Sequence, residues 1–443
     1  MERLVDRWFT VDPRALAVLR VALGLLVIVD VVRRFAHVDL YYLPGGILLP
    51  PRPDHSYTWS ILVGLESAAA AWAFLLGLLA SAIWLITGWK TRLAQVVVLL
   101  GLIQLHNDYH PNSGGDVALT CLAFWTAFLP LGRCWSVDAR RHGADFGSVR
   151  SPAVLAVLVQ LVAIYLYTGL AKSGASWSSG EAVHYVLQLD QYLTGLGEWF
   201  RDVAPYALME AATHGTIAVE LVGAVLLLLP FGALWARRVT LAALGAMHIA
   251  LLLLVNVGIF QPAMLLYYLV VWPREDMARL FDRLGSAVDP ETPSQPGIRS
   301  RKLAIAAYSV LALAGAINVH EALVRNPGTG ALVAGAGLPT AIPEPFRAVQ
   351  RATAMSQLWS MFGPDVRKGE GRLLVVAQTA DGQVLDLLTG QEPAPGPVTR
   401  LSGPSGPLID TGWDDAWRKY SNGMVRRRTD DLANHLRAVL TRR

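Results

Sequence analysis

The chain has 443 residues, 53% of them hydrophobic and only 16% charged, with a mean hydropathy of +0.39. An ordinary soluble domain carries about 25% charged residues, so this balance argues against a soluble enzyme, a disordered chain or a fibrous protein and points to a polytopic membrane protein. The formal charge of +4 gives no concentrated basic face of the kind nucleic acid requires. Two cysteines, Cys121 and Cys134, offer neither a disulfide framework nor a metal-type spacing.

Crossing the hydrocarbon core takes about 20 largely apolar residues. Nine candidate spans follow in chain order: Ala15–Val32, Ser67–Trp89, Leu93–His106, Val117–Leu131, Pro152–Leu170, Ile217–Leu234, Thr240–Phe260, Pro262–Trp272 and Leu303–Val319. The third and eighth are short, and extend into polar flanks or form half-spans. The first is not a cleaved signal peptide, because it holds Arg20 and Asp30 and no small-residue cleavage site follows. With the N-terminus inside, alternate loops hold 17 Lys and Arg on the inner side and 5 on the outer. Cytoplasmic loops carry such an excess, so the expected topology is N-terminus inside and C-terminus outside.

Residues 1–320 are therefore expected to form the membrane domain, and 321–443 a small extracytoplasmic α+β domain. In the latter, Thr379-Ala380-Asp381-Gly382 separates two apolar runs and predicts a hairpin with an Asp-Gly turn. Gly390–Gly412 predicts loop. Thr429–Thr441 predicts a helix with Leu432, Leu436, Val439 and Leu440 at helical spacing.

Ionisable residues inside spans are costly and mark function by default. Arg20, Asp30, Glu66, Glu220 and His248 qualify. Each has a plainer alternative. Arg20 can pair with Glu220 or Asp30 as glue between helices, Glu66 can be interfacial, and His248 can be a hydrogen-bonded core residue. Two outer loops concentrate polar chemistry. In His106–Asp116, His106 and His110 stand four apart with Asp108 between, a spacing that can bind metal on a helix. Pro111 and Gly114-Gly115 end the helix there, which favours loop hydrogen bonding and shaping of a substrate site, so no metal is expected. In the second loop Lys172 sits just past the outer end of an apolar helix. Burial there favours the neutral amine that a general base needs, whereas an exposed position would let the chain snorkel to headgroups.

Several strings, in order, resemble the vitamin K-dependent γ-carboxylase-like family, whose members share the HTTM membrane domain. They are Asp12-Pro13-Arg14 with Leu19-Arg20; Phe128-Leu129-Pro130-Leu131-Gly132-Arg133 followed by Trp135-Ser136-Val137-Asp138; Gly169, Lys172, Trp177 and Gly180; Glu220 beside an apolar run; His248 ten residues before Gly258-Ile259-Phe260 with Met264-Leu265 after it; and Gln357-Leu358-Trp359-Ser360-Met361-Phe362. The resemblance covers roughly residues 10–275 well and the rest more weakly. It implies a lysine amine that takes a proton from a reduced quinone (vitamin K hydroquinone). Oxygen then adds, the quinone ends as an epoxide, and the strong base so formed takes a γ-proton from a glutamate whose carbanion captures CO2. Lys172 matches that lysine, with His248 as a second catalytic candidate. Trp177, Glu220, Arg20, His106, Asn107, Asp116 and Phe260 are the expected substrate or quinone contacts.

The implied cofactor is a reduced quinone, the implied partners are lipid and a peptide or membrane-protein substrate, and the implied location is the bacterial cytoplasmic membrane. If this is an enzyme, it is a quinol-dependent carboxylase or epoxidase of the lyase class. It should place Lys172 in a closed apolar hollow with His248 or Glu220 close by, and Arg20, Glu220 and His248 should face the bundle interior. The chain departs from animal members in lacking an alignable histidine for their Asn-Asn-His-Ser-Tyr stretch, their large propeptide-binding region and their bridged cysteine pair. The alternative is a non-catalytic membrane partner for peptide or toxin maturation or export. A transporter ranks last, since no inverted repeat is visible.

Overall fold

A computed structural model describes residues 8–35, 38, 42, 67–107, 113–229, 234–286, 295–296, 298, 300–337, 339–368, 376–378, 380–386 and 392. Among them nine apolar helices form one bundle: α1 (Pro13–Phe35), α2 (Ala68–Thr87), α3 (Thr91–Asn107), α4 (Gly114–Thr126), α5 (Pro152–Ala171), α6 (Tyr206–Leu228), α7 (Leu234–Leu254), α8 (Phe260–Val271) and α9 (Arg301–Arg325). Six of these, α1, α2, α5, α6, α7 and α9, are long and apolar enough to cross a membrane. The protein is an integral, multi-pass, all-α membrane protein.

The expectation of about nine spans, the third and eighth of them short, is corrected to six candidate spans among the described residues by the other three helices. Helices α3, α4 and α8 have 17, 13 and 12 residues. At 1.5 Å per residue they reach roughly 25, 20 and 18 Å, against a hydrocarbon core of ~30 Å. Local sequence sets the limits. Helix α4 starts only at a capping box, where Ser113 and Asp116 satisfy each other's backbone amides, and stops before Pro130. Helix α8 is confined between Gly258, in the left-handed region at φ 69°, and Trp272-Pro273.

The nine helices nonetheless alternate in direction. Strands β1 (Thr10–Val11), β2 (Val149–Arg150) and β3 (Gln295–Pro296) form a small sheet, β1 antiparallel and β3 parallel to β2. That sheet gathers the starts of α1 and α5 and the approach to α9 at one end of the bundle. The same end is basic, and several of its arginines are paired. Arg14 meets Asp282 at 2.7 Å and Arg238 meets Asp276 at 2.6 Å. The opposite end, called the polar end below, holds the last turn of α1, the end of α3, the start of α4 and the end of α5. At that end Asn326, just past α9, donates to the Tyr167 carbonyl at 3.0 Å.

Helix α5 is central, packing against α4, α6, α8 and α9. Ser151 caps its start and Pro152 sits in its first turn, where no amide partner is lost. Short α8 lies beside it against α1, α4 and α7. Helices α6, α7 and α9 turn Val222, Val225, Leu252, Leu253, Leu303 and Ile305 outward, the face a lipid tail would cover.

Helix α9 runs five residues past the expected domain boundary at 320. Beyond it, residues 355–366 return to the bundle as an extended strap, with Gln357 and Trp359 fully buried. The expected hairpin forms as β4 (Val376–Gln378) and β5 (Val384–Asp386), antiparallel, with Gly382 at φ 88° in its turn. The loop expected over Gly390–Gly412, apart from Glu392, and the helix expected over Thr429–Thr441 lie outside the described residues, as do Glu66, Asp108 and His110.

Candidate functional site

Lys172 ends α5 at the polar end. A helical side chain leans back toward the N-terminus of its helix, and this one does so: Nζ lies 3.4 Å from the Thr168 carbonyl, one turn earlier. It meets Glu220 Oε2 of α6 at 2.6 Å, and both side chains are buried, at 4% and 7% exposure. Gly169 permits the approach. A methyl there would stand 2.7 Å from Leu221 Cδ2 and 3.4 Å from Glu220 Cβ, so only a bare backbone lets α6 come this close. The Trp177 ring lies 5.1 Å from Nζ, in cation–π range.

The strap covers this corner. The Trp177 indole donates to the Phe362 carbonyl at 2.8 Å, and the Gly174 amide to the Pro364 carbonyl at 2.7 Å. Asp365 accepts from the Ser176 amide at 2.9 Å and from the Ser176 hydroxyl. Those Ser176 hydrogen bonds hold the Asp365 carboxyl below its usual range.

His248 of α7 lies in the interior at 1% exposure. Its Nε2 is 2.8 Å from the Tyr165 hydroxyl, which is 2.5 Å from the Tyr268 hydroxyl. Its Nδ1 has no hydrogen-bond partner among the described residues. Phe260, the first residue of α8, packs its ring 5.8 Å from the imidazole.

His106 and Asp116 belong to a different cluster. His106 Nε2 is 3.1 Å from Asp30 and 3.5 Å from Asp116, and its Nδ1 is 2.8 Å from the Thr120 hydroxyl. Asp30, His106 and Asp116 present their ligand atoms within 4.8 Å of one another, a spacing that could hold a metal ion. Cations already occupy that place. Arg33 and Arg34 both reach Asp30 Oδ1, at 2.7 and 3.0 Å, and Asp116 Oδ1, at 3.3 and 3.2 Å. The other Asp116 oxygen accepts from the Ser113 amide at 2.7 Å. This network locks the end of α1 to the end of α3 and the start of α4. Asn107 closes α3 beside it.

Arg20 is buried as expected, but it pairs with neither Glu220 nor Asp30, so that alternative does not hold. It lies toward the basic end, where Nη1 donates to the carbonyls of Leu131 and Cys134 at 3.2 and 3.4 Å and Nη2 to that of Trp135 at 2.5 Å. These carbonyls belong to the Phe128–Asp138 string, so Arg20 clamps that turn. A guanidinium fork suits the task, because several carbonyls must be met at once.

The structure thus brings Lys172, Glu220 and Trp177 together, places His248 and Phe260 beside each other, gives His106 and Asp116 to the arginine cluster, and leaves Arg20 at the far end. Tyr165, Tyr268 and the strap carbonyls were missed. Tyr165 had a signal: it lies seven residues before Lys172 and shares its face of α5 with Thr168.

These features define a polytopic helical membrane protein with an amine–carboxylate pair buried in its bundle. Residues 8–275, which include Lys172, Glu220 and His248, match the HTTM domain. The chain belongs to the HTTM domain family. No solved structure matches it.

Proposed function

We propose that the protein is a quinol-dependent membrane oxygenase of the epoxidase or carboxylase type, with Lys172 as general base. The observation that carries this reading is the buried Lys172–Glu220 pair. A charge taken out of water is expensive, and a single proton shared across 2.6 Å lets the amine be neutral when the carboxyl holds it. Neutral Lys172 can then take a proton from a quinol hydroxyl, becoming an ammonium that donates to the protonated Glu220 and is balanced by the charge of the quinolate. Trp177 and Phe260 supply flat apolar surface for a ring, and the strap excludes water from the corner. Overall, one quinol and one O2 give one epoxide and one water; if CO2 is captured, a substrate carbon supplies the proton it replaces.

The basic end faces the cytoplasm in this reading, as the loop charges ask, and the membrane is the bacterial cytoplasmic one. Lys172 then sits near the outer face, within reach of lipid-borne quinol and of a peptide or membrane-protein substrate. The competing reading is a non-catalytic partner in peptide maturation or export, for which the charge alone at position 172 should matter. Purified protein should consume naphthoquinol in an oxygen-dependent manner, and Lys172→Ala should lower the rate roughly 10²-fold or more, the usual worth of a positioned base. Undiminished consumption by Lys172→Ala overturns the base. A fully active Lys172→Arg in cells, with no turnover by wild type, favours the partner reading.

A further inference from the structure

Between α5 and α6 the chain forms a short helix, Gly195–Val203, which no expected span includes. Thr194 opens it, its hydroxyl accepting from the Gly197 amide at 3.0 Å. The same residue fastens the start of the helix to the last turn of α7. Its amide donates to the Leu254 carbonyl at 3.1 Å and its hydroxyl to the Leu253 carbonyl. Leu193 and Val255 pair beside it as an antiparallel bridge. At the other end only Ala204 and Pro205 separate Val203 from Tyr206, the first residue of α6. Helix α7 ends, and α6 begins, at the polar end of the bundle. Both ends of the short helix therefore stand at one level, so it lies across that end rather than along the bundle.

With 3.6 residues per turn, the helix has three distinct sides. Gly197 and Arg201 face the protein: a methyl on Gly197 would collide with the Leu254 carbonyl, and Arg201 Nη1 meets Asp190 at 2.7 Å. Glu198 and Asp202 form an acidic side, the Asp202 side chain being 69% exposed. Leu196, Trp199 and Val203 form the third, an apolar stripe at helical spacing, and they are exposed at 45%, 58% and 55%.

The neighbouring surface says what covers the stripe. Leu253, whose carbonyl holds Thr194, is exposed on the lipid-facing side of α7 together with Ile249 and Leu252. The stripe continues that side at the height where α7 ends. An indole suits such a place, because its ring is apolar and its N–H can stay wet. The same segment reaches the cover over Lys172. The Tyr192 ring lies 5.7 Å from the ring of Phe362 in the strap, and the Phe362 carbonyl accepts from the Trp177 indole.

We propose that the helix Gly195–Val203 lies in the plane of the membrane–water boundary, with Leu196, Trp199 and Val203 sunk among the upper acyl chains of a lipid surface and Glu198 and Asp202 turned to water. Its polar side is acidic, so attraction to anionic headgroups adds nothing and apolar burial seats it. The boundary then runs at the level of Leu254, beside the corner that holds Lys172. Nothing in this placement depends on the quinol reading.

The test is spin-label accessibility in the full-length protein, reconstituted into phosphatidylcholine nanodiscs. Cys121 and Cys134 are buried, so the label reaches only an introduced cysteine. Leu196→Cys, Trp199→Cys and Val203→Cys should give labels relaxed by dissolved oxygen and shielded from a water-soluble nickel chelate. Glu198→Cys and Asp202→Cys should show the reverse. Nickel access at all five positions overturns the proposal. So does shielding of the stripe from both reagents, which would mean that protein covers it, as does spin–spin broadening between labels, which would mean a second copy. Intrinsic fluorescence gives a second reading without an added label. Lipid brominated near the headgroup end of its chains should quench wild type more than Trp199→Phe, and equal quenching of the two overturns the proposal as well.

Discussion

Removing one partner of the Lys172–Glu220 pair should destabilise the bundle, by an amount that burial and proton chemistry together limit. Both side chains are nearly inaccessible and the contact is 2.6 Å. Breaking such a pair typically costs about 3–5 kcal/mol, because the remaining charge is stranded. In Lys172→Met the remaining Glu220 escapes by binding a proton. A free glutamate ionises near 4.3, so holding one neutral at pH 7 costs about 3.7 kcal/mol. In Glu220→Leu the lysine escapes by losing one, which from about 10.4 costs about 4.6 kcal/mol at pH 7. The two variants should therefore carry similar penalties with opposite pH slopes. In Lys172→Met the folded state binds the extra proton, so stability rises as pH falls from 7 toward 4.3, by up to about 1.4 kcal/mol per unit. In Glu220→Leu the unfolded state binds it, so stability rises as pH increases from 7 toward 10. The double variant Lys172→Met/Glu220→Leu should recover most of the loss. Unfolding of purified protein in detergent, followed by tryptophan fluorescence from pH 5 to 9, reads these slopes. Two small penalties without pH dependence would refute the burial argument.

Gly169→Ala should cost about 1–3 kcal/mol, the usual price of overpacking, because its methyl would lie 2.7 Å from Leu221 Cδ2; thermal unfolding checks this, and quinol turnover should fall with it as α6 is pushed off Lys172. Arg20→Lys should lower the yield of folded protein, since one ammonium cannot meet the three carbonyls the guanidinium fork reaches, while the quinone affinity of the folded fraction should be unchanged; a selective loss of affinity would place Arg20 in the site. Asp138→Ala should cost about 0.5–2 kcal/mol, as for a lost helix cap, since Asp138 accepts from the Lys90 amide, the Thr91 amide and the Thr91 hydroxyl at 2.7–2.8 Å. Burial alone would raise the Asp138 carboxyl, but those hydrogen bonds outweigh it and hold it below its usual range. Its stabilisation should therefore be complete above about pH 3.9 and fade as pH falls through the lowered value, which acid titration of wild type against the variant measures.

The membrane class was legible because hydropathy sums over many residues and needs no tertiary information. Helix lengths were less so. An apolar run shows where a helix can lie in lipid, whereas the capping box at Ser113 and the glycine at 258 decide where it stops. The polar residues were found individually, but their pairing was not. Arg20, Asp30 and Glu220 all lie in apolar runs; Arg20 and Asp30 are ten residues, about 15 Å, apart on α1, but only the folded chain places Glu220 away from Arg20. Asp30 is held by Arg33 and Arg34, which the loop count had treated only as topology charges. Lys172 was recognisable from its place at a helix end and from the Gly169–Gly180 string. Glu220 as its partner depended on α6 crossing α5 at Gly169, a contact between residues 48 apart in sequence. The Tyr165–His248–Tyr268 chain joins three helices and has no local signature.

The most direct test of the central claim is epoxide formation from a naphthoquinol by purified protein under 18O2, read by mass spectrometry. The account predicts one labelled oxygen in the epoxide for wild type and no epoxide above background for Lys172→Ala at equal folded protein. Equal epoxide from both proteins, or none from wild type with quinol demonstrably bound, would contradict it.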